Sequence, residues 1–345
     1  MVKGTWSCFA MAPSRDGLSE SRYINQPRHA QDVRMSSHRK PADGFALASM
    51  LALCAIWGMQ QVAVKLAAPH IPSMMQMAVR SGVGALLVGL LCWVRGERGL
   101  LRRGPWRPGL VVGALFALEF LFVGEGLRHT HASHMGVFLY TAPIFAALGL
   151  HWLVPAERLR RTQWLGIAVA FVGIALAFGG GWLQGDISPG VLWGDALGLL
   201  AGLAWGATTV AIRVSALSDA PPTQTLLYQL VGGVALLLPV ALLTGQAGPI
   251  SMAPIAWASL LFQGVIVCFA SYLTWFWLLR RYLASNLSVF SFMTPLFGVS
   301  AGILVLNEQA DGFFAVGAVL VLTGILIVSG SSLLRHQPTL KTGTT

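Results

Sequence analysis

LRHTHASHMGVFLYTAPIF (residues 127–145) returns 152 positions later as LRRYLASNLSVFSFMTPLF (279–297), with eight identities in nineteen. A second pair, AIWGMQQVAVK (55–65) and LAWGATTVAIR (203–213), recurs at an offset of 148. Gly166 and Gly173 match Gly317 and Gly324 in the same alignment. The chain is therefore built from two copies, 44–179 and 191–334. Whether those copies stack in water or cross a membrane depends on composition.

Of 345 residues, 55% are hydrophobic and only 10% are Asp, Glu, Lys or Arg. Mean hydropathy is +0.67. An ordinary soluble domain carries about 25% charged residues, and a chain with this few could not cover its own surface in water. The net charge of +10 is not a nucleic-acid face, because the basic residues sit in the terminal tails and short connectors rather than on one interleaved surface. The cysteines at 8, 54, 92 and 268 are scattered, with neither disulfide nor zinc spacing.

Ten apolar runs follow residue 43, at 44–67, 74–94, 108–127, 132–150, 164–179, 191–214, 224–244, 255–279, 284–306 and 313–334. Each is close to the ~20 residues a spanning helix needs. Period-two alternation is absent, so the expected class is an all-α integral membrane protein. With the N-terminus inside, 20 Lys and Arg fall on inner segments: seven in the tail, five at 95–107, three at 158–161, Arg213, Arg280 with Arg281, and Arg335 with Lys341. Only Arg128 falls on an outer connector. That asymmetry predicts both termini in the cytoplasm. Residues 1–43 read as a disordered basic cytoplasmic tail, with Met35 as an alternative start, and 335–345 as a short cytoplasmic tail. Each copy holds five runs. Five is odd, so the second copy must cross the membrane upside down, an arrangement found in alternating-access transporters.

The paired Trp-Gly of spans 1 and 6, the prolines of spans 4 and 9, and PAERLRRTQWLGIAVAFVG (155–173) resemble the EamA family of the drug/metabolite transporter superfamily. The likeness runs from residue 44 to about 334. In the second copy LNEQADGFFAVGAVLVLTG (306–324) keeps the acidic residue and glycines but loses the basic run. The resemblance implies a bacterial inner-membrane carrier of ten helices in two inverted repeats. Many such carriers export amino acids, other metabolites or toxic compounds, so the resemblance sets class rather than cargo.

Several polar residues inside the apolar runs are candidates for the work. Glu119 falls near the middle of span 3, where a charge costs about 2.5–3.5 kcal/mol on insertion scales. It should face the protein interior or water. Arg80 on span 2 lies at a similar depth, to within about one helical turn. The two either pair permanently or share a substrate between them, Arg80 taking an anionic group and Glu119 a proton or an ammonium. Trp57, Gln60, Gln61 and Lys65 share one face of span 1. The repeat puts Trp205, Thr208, Thr209 and Arg213 at the matching points of span 6. This polar stripe is either a cavity wall or interhelical glue. Lys65 and Arg213 fall near opposite membrane faces, where snorkelling explains them. Tyr140, Tyr272 and Trp275 offer aromatic faces to a substrate, while Trp277 suits an interfacial belt. Pro143 and Pro295 kink spans 4 and 9, as hinges or as static bends. Glu125 has Arg128 at i+3 for an ion pair. His129, His131 and His134 occupy the outer connector without a standard metal spacing. Glu157 and Glu308, after spans 4 and 9, read as structural.

HExxH, GxSxG and P-loop motifs are absent, and no stretch is long enough for a nucleotide-binding domain. The expectation is a secondary-active transporter exporting a small metabolite, such as an amino acid or a toxic compound, by alternating access and with proton coupling. It needs no cofactor or metal. Its partners are the substrate, the bilayer and a second copy of the chain, with no nucleic acid. The alternatives are an integral-membrane enzyme acting on a lipid-linked substrate and a passive channel.

Overall fold

The computed structural model describes residues 43–97, 104–155, 158–184, 188–248, 250–251, 253–282, 287, 290–291, 293–309 and 312–333. The tails 1–42 and 334–345, with Met35 and Cys8, lie outside these residues, as do Glu157 and much of the start of span 9. The described chain is helical. Its elements are α1 (Gly44–Ala67), α2 (Ser73–Val94), α3 (Trp106–Gly126), α4 (Ala132–Leu139), α5 (Ala142–Leu153), α6 (Arg161–Gln184), α7 (Pro189–Arg213), α8 (Pro222–Leu243), α9 (Pro254–Leu261), a π-helical stretch (Phe262–Ser271), α10 (Tyr272–Arg281), α11 (Met293–Leu306) and α12 (Gly312–Leu333).

Local chemistry sets where these helices start. Asp43 accepts the Ala46 N–H at 2.9 Å and caps α1. Prolines open α7, α8 and α9, at first-turn positions that have no intrahelical acceptor for an N–H anyway. Span 4 is not continuous. It breaks at Tyr140 and Thr141, between α4 and α5, with Pro143 in the first turn of α5. Pro295 sits likewise in the first turn of α11, just after a turn at Ser291. Span 8 changes winding along its length, from α to π to α.

Seven helical segments are long and apolar enough to cross a membrane, and three shorter apolar ones, Arg161–Ala177, Met293–Leu306 and Gly312–Val328, accompany them among the described residues. Large apolar side chains point outward: Leu243 is 87% exposed, Leu304 79% and Leu86 75%. Water would penalise that face, and hydrocarbon would not.

The helices pack closely where glycine permits it. α6 lies against α12, α1 against α11, and α5 against α7, while α8 packs on both α2 and α3. A Cβ on Gly58 of α1 would stand 2.8 Å from Thr294 O, Phe297 Cβ and Gly298 N of α11. A Cβ on Gly206 of α7 would stand 2.9 Å from Ala142 O, 2.7 Å from Phe145 Cβ and 3.0 Å from Ala146 N of α5. In α6 and α12, Gly166 faces Gly324 and Gly173 faces Gly317 backbone to backbone. Such contacts replace a hydrophobic drive that lipid does not supply between helices.

Candidate functional site

Arg80 is the largest side chain buried completely in the described core. It projects from α2 onto the ring of Phe120 in α3, with Cζ 4.0 Å from the ring centroid. Its Nε, Nη1 and Nη2 have no hydrogen-bond partner among the described residues. A buried guanidinium presents five N–H donors, and leaving them without close acceptors is costly; the Tyr272 hydroxyl is the polar group nearest to serving them. The cation–π contact with Phe120 offsets only part of that cost.

Glu119 adjoins Phe120 on α3 and is 6% exposed. It lies within electrostatic reach of Arg80, of Tyr272 at the start of α10 and of Tyr140 at the break between α4 and α5. No direct Arg80–Glu119 ion pair within 4.0 Å forms among the described residues. The two charges lie near each other without a direct ion pair.

Around this centre, Trp57 donates its Nε1–H to Ser271 Oγ at 2.9 Å and packs edge-on against Trp275, centroids 5.8 Å apart. Tyr140 packs edge-on against Trp205 at 5.3 Å. Gln60 and Gln61 are buried, and Gln61 Oε1 has no partner among the described residues. Thr294, beside Pro295, is buried, and its side chain reaches Cys54 and Tyr140. The stripe on α7 divides instead. Thr208 is buried and donates to Ala204 O at 2.9 Å, while Thr209 is exposed and donates to Trp205 O at 3.2 Å. Neighbours in sequence stand about 100° apart on a helix, so they occupy different faces. Trp277 is 42% exposed and carries Arg281 over its ring, as a belt residue would.

Sequence reasoning passed over two polar networks. Gln263, in the π-helical stretch, donates to Gln76 Oε1 and Ser259 Oγ, each at 2.8 Å, and Gln76 donates to the carbonyls of Val64 and Ile71. The second holds His134, which lies inside α4 and turns inward to Asp195 of α7 rather than standing in the connector. The signal for it was available: Asp195 is the sole acid in its span. The three histidines take three different carboxylates, His129 with Glu125, His131 with Glu308 and His134 with Asp195. Glu125 also binds Arg128 at 2.9 Å, as the spacing suggested. Glu308 accepts Ala132 N–H at 2.6 Å and Ser133 N–H at 3.0 Å, capping α4 from the far end of the chain.

A family model for EamA-like transporters matches residues 44–179 and 192–330. The chain belongs to the EamA-like transporter family. Among its EamA relatives, an uncharacterised transporter of Archaeoglobus fulgidus is 27% identical over 251 residues, 72% of this chain and 84% of its own. YoaV, an uncharacterised transporter of Bacillus subtilis, is 24% identical over 287 residues, 81% of this chain and 94% of its own. YedA, an uncharacterised inner membrane transporter of Escherichia coli, is 25% identical over 305 residues, covering 84% and 92%. One crystal structure superposes with a TM-score of 0.59 at 17% identity, over 86% of this chain and 100% of the other, a likeness of fold alone. This EamA chain is a multi-pass membrane protein whose relatives are named as transporters.

Proposed function

We propose that the chain is a secondary-active carrier of the inner membrane that exports a small metabolite by alternating access. The observation that carries the reading is Arg80, a fully buried guanidinium beside Glu119 whose donors lack a close acceptor, with only the Tyr272 hydroxyl reaching toward it. A site with that shortage accepts an anionic group. Glu119 accepts the substrate's ammonium or a transported proton, and Tyr140, Tyr272, Trp57 and Trp275 supply aromatic walls. A zwitterion such as an amino acid matches both charges.

The finer architecture belongs to the same proposal: ten crossings, two inverted five-helix repeats and cytoplasmic termini. Counting the three shorter apolar helices with the seven long ones supports ten. The glycine contacts support the inverted repeats. Gly58 and Gly206 are equivalent positions, and they meet equivalent triplets, Thr294–Phe297–Gly298 and Ala142–Phe145–Ala146. The Gly166–Gly324 contact becomes Gly173–Gly317 when the copies are exchanged. Two halves related this way can rock about a site between them.

The test uses purified protein in liposomes and radiolabelled amino acid counterflow across a small panel, with wild type beside Glu119→Gln. Saturable exchange of one compound that the variant loses is the expected result. Exchange that survives the variant removes Glu119 from the site. Flux that neither saturates nor responds to counter-substrate overturns the carrier reading in favour of a channel.

A further inference from the structure

The polar groups where α4 meets α7 lie apart from the Arg80–Glu119 centre and are not used by it. His134, in the first turn of α4, is buried, with Nδ1 2.9 Å from Asp195 Oδ2 and 3.1 Å from Oδ1. Asp195 is 1% exposed and also accepts the Thr130 hydroxyl. The imidazole lies flat on Phe314 of α12, centroids 3.7 Å apart and planes 10° apart. The ring of His131 stands 5.2 Å away. His131 in turn lines a cavity of about 570 Å³ with Lys65, Leu306, Asn307, Glu308 and Gln309. Tyr140, the residue of the central site on the same span, is six positions further along, a separation of about 9 Å on the helix axis.

A tie between two helices needs only neutral partners. Here the tie is a carboxylate against the one side chain that changes charge near neutrality, enclosed away from lipid and one ring from a cavity. Ionisable pairs inside a membrane bundle serve as proton stations. We propose that the Asp195–His134 pair is a proton-binding site, separate from the Arg80–Glu119 centre, that exchanges its proton through His131 with water in the Lys65–Glu308 cavity. The step moves one proton. It leaves a hydronium in the cavity, crosses His131 and settles on Nε2 of His134, whose Nδ1–H already donates to Asp195, and it returns by the same route without any other bond changing. Loading takes the pair from a net charge of −1 to zero.

His134 faces Asp195 from α7 and His131 from the cap of α4, and His131 in turn feels Lys65 from α1, Glu308 beyond α11 and Asp195. α12 offers Phe314 and carries no charged residue. At His131, Lys65 opposes protonation and Glu308 favours it. The proposal does not depend on the carrier reading, since proton occupancy can be measured without a substrate.

The experiment is an imidazole NMR titration of the full-length, ¹⁵N-histidine-labelled protein in micelles from pH 4 to 9. The His134 signal, identified by its loss in His134→Gln, should titrate within that range. Asp195→Asn should weaken proton binding at His134, read as a displaced titration of that signal. Glu119→Gln should leave the midpoint in place. If His134→Gln fails to fold, the signal is assigned from its displacement in Thr130→Val and Asp195→Asn. A His134 that keeps one protonation state throughout, or a midpoint indifferent to Asp195→Asn, overturns the proposal and leaves a structural tie.

Discussion

Among the described residues, Arg80 meets an exacting physical condition: a guanidinium buried completely inside the bundle. A charge that is buried, unpaired and merely structural would be removed at a gain in stability, because apolar replacements of buried ions are neutral or stabilising by about 1–4 kcal/mol. The double variant Arg80→Met/Glu119→Gln should therefore melt at or above the wild-type temperature in detergent while losing counterflow entirely. A large drop in melting temperature would mean that the pair holds α2 to α3. Both residues were legible in the sequence, since a charge inside an apolar run stands out and helical rise fixes its depth. The gap between them was not legible, because it depends on rotamers and on where Phe120 places its ring. Asp195 carried the same signal as Glu119 but sits nearer a connector, where an acid is ordinary.

Helices in this bundle touch where side chains are smallest. A methyl on Gly58 or Gly206 meets backbone atoms of the neighbouring helix, which cannot swing aside. Gly58→Ala and Gly206→Ala should each destabilise by about 1–3 kcal/mol, the usual cost of overpacking. Gly89→Ala, in the interior of α2 with nothing within 4 Å, should be neutral or gain about 0.5–1 kcal/mol from helix propensity. Thermal melts of the three variants side by side check this. The Trp-Gly pairs were visible in the sequence as a repeat, yet their partners were not, because packing across a sequence gap as long as that from Gly58 to Gly298 leaves no local mark. Helix boundaries followed closely from hydropathy and prolines. The winding within spans did not: the break at Tyr140 and the π-helical stretch keep the same apolar composition as the α-helix around them.

At the scale of the whole molecule, charge decides orientation and pH response. If the termini are cytoplasmic, a membrane-impermeant maleimide should label Gln309→Cys on intact cells and leave Glu97→Cys untouched, and the reverse pattern would invert the topology. His131 is held below the ordinary histidine value by burial, then by His134 and Lys65, against the pull of Glu308 and Asp195. The unfolded chain thus takes up a proton before the native one does. His131 contributes stability that is present above about pH 6.5 and is lost as pH falls through its lower native value. Melting curves from pH 7.5 downward should flatten in His131→Gln. Class was readable from composition, and the basic asymmetry from where the charges fall along the chain, because the bilayer constrains both. The cavity beside His131 was not, since it is assembled from three separated segments.

Glu308 gives this architecture a sense of time. It follows α11 in the second repeat, yet its carboxylate terminates α4 in the first. Parting those segments strands two amide donors at once. Hydrogen bonds to a charged acceptor are worth about 1.5–3 kcal/mol each. Breaking both slows the parting by a factor of roughly 10² to 10⁴. On the alternating-access reading proposed above, the dwell time of this contact is set by a single side chain, and Glu308→Gln, which removes the charge, would make the clock run fast.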